Sequence, residues 1–136
     1  MKRLLLLAIL IMAVVVGPTL ALAGTAEVVK EKSEAAFRDY VKAGNLLAGE
    51  AHYTQAAEYY RKALSLKPKS AEAYSLLGSA LAEAGNSREA EQALRKSVAL
   101  KPDFAEGYYH LGNFLKSQGK QSEAEEAFRK AEQYRH

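Results

Sequence analysis

The sequence predicts an all-α fold, an α-solenoid of three stacked helix-turn-helix units behind an N-terminal export signal. Three observations predict it. A set of tyrosine, glycine, leucine and alanine positions recurs every 34 residues. Apolar residues inside each recurrence follow the three- and four-residue steps of a helix face. An uncharged apolar run with a basic start occupies the N-terminus.

The first element is the signal. Lys2 and Arg3 precede an unbroken apolar run from Leu4 to Val16. Gly17-Pro18 is expected to break a helix, and Ala21-Leu22-Ala23 places small residues where a signal peptidase reads them. This is the layout of a secretory signal peptide over residues 1–23, cleaved after Ala23. The competing reading is an uncleaved membrane anchor, because a spanning helix needs about 20 apolar residues and Leu4 to Ala23 just supplies them. The chain has no cysteine, so lipid attachment at a cysteine, disulfides, thiol chemistry and cysteine-based zinc sites are all excluded. Export also changes the charge. The full chain has 19 basic and 16 acidic residues, and loss of Lys2 and Arg3 with the signal leaves 17 and 16. Lysine and arginine are interleaved with glutamate rather than gathered in a stripe, so no nucleic-acid partner is expected.

Residues 24–36 follow. Val28, Val29, Ala35 and Ala36 have helical spacing and predict an N-terminal helical extension.

The repeats occupy residues 37–136, as units 37–70, 71–104 and 105–136. Tyr40, Tyr74 and Tyr108 stand in one register, as do Gly44, Gly78 and Gly112, then Leu47, Leu81 and Leu115. Ala56, Ala90 and Ala124 keep it, followed by the large residues Tyr60, Leu94 and Phe128. Pro68 and Pro102 close the first two units. Within the second unit, Tyr74, Leu77, Gly78 and Leu81 form one helix face. Gly85-Asn86 ends that helix, and Ala90, Ala93, Leu94, Ser97 and Val98 form the face of the next. Lys101-Pro102 stops it. In the third unit Gly119-Lys120 marks the turn. Ser122 and Glu125 have the spacing of a capping box, and Asp103 and Glu106 a related one. Small residues at the glycine and alanine positions predict close approach of two helices, with tyrosine and leucine filling the surrounding space. One unit cannot bury both faces of its helices, so stacking of about three is needed.

These residues resemble the tetratricopeptide repeat pattern W-x2-L-G-x2-Y, A-x3-F, P. The middle unit carries it as Tyr74, Leu77-Gly78, Leu81, Ala90, Leu94 and Pro102. Tyrosine replaces tryptophan throughout, and Ala43 replaces the leucine of the first unit. The resemblance implies a right-handed superhelix whose first helices line a concave face where a peptide or helix of a partner docks.

The residues for catalysis are missing. His52, His110 and His136 have no helical pairing, and His110 is expected to be solvated or loosely packed. No glycine-rich phosphate loop or nucleophile elbow occurs. The acidic group Glu123, Glu125 and Glu126 reads as a helix start complementing the helix dipole. The chain is therefore expected to be no enzyme and to need no cofactor or metal.

The register places a candidate groove on the side of the first helices away from the tyrosine-leucine-glycine face. Its rows are Arg38, Glu72 and Glu106; Val41, Ser75 and Tyr109; Asn45, Ser79 and Asn113; with Lys116 further along. Asn45 and Asn113 are expected to hold a peptide backbone, since an amide both donates and accepts. Glu72, Glu83 and Glu106 hint at a mildly basic ligand. Val41, Glu106 and His110 depart from the family's basic clamp for a C-terminal carboxylate. The predicted function is a protein-binding adaptor or assembly factor, exported and periplasmic, with a secreted or membrane-anchored protein as alternatives. Contact with a membrane is expected only through an uncleaved signal. A second reading is a self-associating scaffold piece, a homo-oligomer that uses the end of the third unit at Glu132-Gln133-Tyr134-Arg135-His136.

Overall fold

The computed structural model describes the backbone of residues 2–136 and the side chains from residue 22 onward. The signal-peptide reading falls largely on residues 1–21, whose side chains lie outside the described residues. Six helices follow one another: α1 Lys2–Gly49, α2 Tyr53–Leu66, α3 Ala71–Glu83, α4 Ser87–Leu100, α5 Ala105–Ser117 and α6 Gln121–Gln133. The backbone of α1 runs through Gly17-Pro18, where a break was expected; an interior proline costs a helix about 3 kcal/mol but does not forbid it. Among the described residues no helix is long and apolar enough to cross a membrane.

Two compact units divide the chain, Met1–Ala35 and Ala36–His136. In the first, Leu22, Val28 and Val29 are exposed on α1. The second is the helical array. There α3 packs on α4, α5 on α6, and α3 meets both α2 and α5, so each pair rests on the next.

The recurring small residues make these contacts. A Cβ on Gly78 would lie 2.5 Å from Leu94 Cγ and 3.1 Å from the carbonyl oxygen of Ala90. On Gly44 it would meet the Tyr60 ring at 2.5 Å, and on Gly112 the Phe128 ring at 2.7 Å. Ala56, Ala90 and Ala124 are fully buried. Around them Tyr60, Leu77, Leu81, Leu94, Leu111 and Leu115 form one continuous core, the feature that makes neighbouring units interdependent.

The first turn of each pair is built alike. The amides of His52, Asn86 and Lys120 bond the carbonyls of Leu47, Leu81 and Leu115 at 2.8–2.9 Å, which is the Schellman closure of a helix. The residue before each has positive φ: Gly85 (84°), Gly119 (74°) and, without glycine, Ala51 (62°). Between units, Pro68 and Pro102 sit inside turns closed by Ser70 N–H to Lys67 O (3.2 Å) and Phe104 N–H to Lys101 O (3.0 Å).

The expected caps differ. Ser70 caps α3, its hydroxyl accepting from the Ala73 amide at 3.1 Å. Ser122 does not cap α6, which starts at Gln121 with Lys120 as the N-cap; Gln121 instead donates to Glu125 at 2.9 Å. Nor does Asp103 cap α5, whose N-cap is Phe104. The turns fix where each helix starts: the proline turn puts Phe104 at the cap one position after Asp103, and the Gly119 turn puts Lys120 there two positions before Ser122.

On the outer helices an ion pair repeats with the register. Arg61 meets Glu89 at 2.8 Å and Arg95 meets Glu123 at 2.8 Å. Each links the second helix of one unit to that of the next. Arg95 also bonds Glu91, which Lys120 contacts at 3.2 Å, and these cations hold the Glu91 carboxyl below its ordinary range.

Candidate functional site

The candidate residues lie along α1, α3 and α5, and most gather in two successive clefts. The first, of about 530 Å3, lies between α1 and α3 and is lined by Phe37, Arg38, Val41, Lys42, Asn45, Leu46 and Glu72. It unites four predicted residues: Arg38, Val41, Asn45 and Glu72. The second, of about 440 Å3, lies between α3 and α5. Ser79, Ala82 and Glu83 form one wall, and Tyr109, His110, Asn113, Phe114 and Ser117 the other. It unites Ser79, Tyr109 and Asn113. Glu106 is exposed beside it, and Lys116 is exposed but lines neither cleft.

Two predicted residues differ from the solvent-facing positions assigned to them. Val41 is buried, packed with Phe37 and Ala73, so it walls the first cleft rather than projecting into solvent. Ser75, at the same register position on α3, is only 2% exposed, and its hydroxyl has no partner among the described residues. Helix α3 covers the position on α1, and α3 itself packs against α5. Tyr109, the third member of the row, is 48% exposed and leans on Phe128 with ring centroids 6.0 Å apart.

The two asparagines are not equivalent. The Tyr60 hydroxyl donates to Asn45 Oδ1 at 2.7 Å. Asn45 therefore offers chiefly its N–H donors to a ligand. Phe128 holds the Tyr60 position in the third unit and has no hydroxyl, so Asn113 remains exposed with both amide groups available.

His110 has a built environment that the sequence reading missed. Its Nδ1 is hydrogen-bonded to the Ser79 hydroxyl, and its Nε2 lies 3.7 Å from Glu106 Oε1. Burial pushes its pKa below the ordinary value of 6.5, against the opposing pull of Glu106. At neutral pH it is an uncharged bridge between α3 and α5. The signal was the register: Ser79 and His110 stand 31 residues apart, one helical step short of the repeat.

Comparisons with known proteins agree with this architecture. Two family models, each described as tetratricopeptide repeat, match residues 38–103 and 77–135. Together they span the array. The second TPR domain of Spaghetti, solved with the HSP90 peptide SRMEEVD, superposes with a TM-score of 0.68 at 19% identity, over 77% of this chain and 99% of that one. The Sgt2 TPR domain from Aspergillus fumigatus gives 0.69 at 20% identity, over 72% and 65%. MamA gives 0.63 at 32% identity, over 74% of this chain and 55% of its own; the array thus spans little more than half of MamA. The first two likenesses show the fold alone. No curated protein matches the chain by sequence.

Proposed function

We propose that this chain, a protein–protein interaction module that belongs to the tetratricopeptide repeat family, holds an extended segment of a partner along the clefts of α1, α3 and α5. The observation that carries this reading is the gathering of seven candidate residues in two adjoining clefts. Asn113 stands in the second with an unengaged amide, suited to gripping a peptide backbone without reading its side chains. The Spaghetti domain, similar in fold, is recorded with a bound peptide. We place the module in the cell envelope, as an adaptor or assembly factor, on the basic, apolar and small-residue order of residues 1–23.

The test is the double substitution Tyr109→Ala with Asn113→Ala. Both side chains are exposed, so helicity should survive while partner binding falls. Unchanged binding of an envelope partner recovered with the chain contradicts the reading. A second reading, self-association, is favoured by the half-exposed Tyr109, which with Ala105, Glu106, Ala131 and Arg135 also lines a further cleft of about 280 Å3 on α5 and α6. A monomer mass independent of concentration in analytical ultracentrifugation excludes it.

A further inference from the structure

The two clefts differ in charge, and the difference describes the chemistry of the segment they accept. This inference rests on the groove reading above. The α1–α3 cleft has an apolar floor of Phe37, Val41 and Leu46, the last 63% exposed. Its charged rim is Arg38 and Lys42 against a single carboxylate, Glu72. Neither cation makes an ion pair among the described residues. Around the other side of Phe37, Lys69 lines a neighbouring cleft that shares the same Glu72. This end of the groove is apolar and net positive.

The α3–α5 cleft is the reverse. No lysine or arginine lines it, and its charged wall group is Glu83. Glu106 stands just behind, 3.7 Å from His110. The Ser79 hydroxyl and His110 Nδ1 are hydrogen-bonded to each other on the wall of this cleft. Among the described residues Glu83 is the one carboxylate in the lining, and no cation there offsets it.

Geometry links the two. Packed helices lie about 8–10 Å apart, and an extended chain advances about 3.3 Å per residue. Groups seated in successive clefts therefore belong to residues about three positions apart. We propose that the groove accepts an extended peptide segment with a carboxylate beside an aliphatic or aromatic residue at α1–α3, and a lysine or arginine three residues away at α3–α5. Opposite charges at the two ends fix the direction of the segment as well as its composition, because reversal would face like charges against one another.

A library of random 12-residue peptides displayed on phage and selected on the full chain tests this. Expected binders carry an acidic and a basic residue three apart, with an apolar residue next to the acid. The synthetic binder should lose about tenfold in affinity when its two charges are exchanged. Selection on the Arg38→Glu, Lys42→Glu chain should abolish the acidic preference, and selection on Glu83→Lys the basic one. Binders without the charge pair, or preferences unaltered in these chains, overturn the inference. If such binders still depend on Tyr109 and Asn113, the groove reading survives it. If no binder depends on those two residues, the groove reading fails and takes the inference with it. A dimer abolished by Arg38→Glu and displaced by the selected peptide assigns the clefts to a second copy and also overturns it.

Discussion

The hydroxyl of Tyr60 donates to Asn45 Oδ1 at 2.7 Å, tying the second helix of the first unit to the groove side of the first. Tyr60 is 2% exposed, and burial pushes its pKa up. Tyr60→Phe keeps the packing and removes only this bond. Asn45 is exposed and can turn to water, so the cost is about 1 kcal/mol. Tyr60→Ala also empties a core site and costs about 3–5 kcal/mol. Urea denaturation of both variants separates the two contributions; equal losses contradict the assignment.

Ala51 holds a backbone conformation that its register partners Gly85 and Gly119 adopt with no side chain, at φ 62° against 84° and 74°. An L-residue there costs roughly 1–2 kcal/mol. Glycine gives back about 0.4–1 kcal/mol through the unfolded chain. The first effect wins, so Ala51→Gly should raise stability by about 0.5 kcal/mol, and Gly85→Ala should lower it by a similar amount. Thermal unfolding midpoints check both signs.

The same change, glycine to alanine, should have opposite effects at two helical positions. At Gly78 the new methyl meets Leu94 and the Ala90 carbonyl oxygen. Overpacking costs about 1–3 kcal/mol and exceeds the roughly 1 kcal/mol gained in helix propensity. At Gly49 a Cβ meets nothing within 4 Å, so only the gain remains. Denaturant midpoints should move down for Gly78→Ala and up for Gly49→Ala.

His110 gives the array a pH dependence of definite sign. Its folded pKa lies below the ordinary 6.5, so the folded state binds its proton less readily than the unfolded chain. Stability is unaffected by this group above that value and falls as the pH is lowered through it toward the folded pKa. Glu91, held below 4.5 by Arg95 and Lys120, acts in a separate window: its contribution is present above 4.5 and lost as pH falls through its lowered pKa. Unfolding measured from about pH 7.5 down to about pH 5.5 should therefore show a loss that His110→Gln reduces. An identical slope in the variant contradicts the half-buried, neutral bridge.

Much of this was legible because a repeat reports its own register. Gly78 against Ala90 and Leu94, and the turns at Gly85 and Gly119, follow from single positions and local rules. Relations between units were harder to read. Arg61–Glu89 and Arg95–Glu123 are both 28 residues apart, and Ser79–His110 is 31 apart. Such contacts depend on how one helix settles against the next. For the same reason Val41 and Ser75 looked solvent-facing on an isolated helix and are covered in the stack. The inequality of Asn45 and Asn113 depends on one hydroxyl, present in Tyr60 and absent from Phe128.

The central claim is that a partner segment lies across α1, α3 and α5. Isotope-labelled chain titrated with a selected 12-residue peptide tests it most directly, by the backbone amides whose NMR shifts move. Movement concentrated around Arg38, Asn45, Ser79 and Asn113 is the predicted result. Movement concentrated on α2, α4 and α6, with those four residues still, would contradict it.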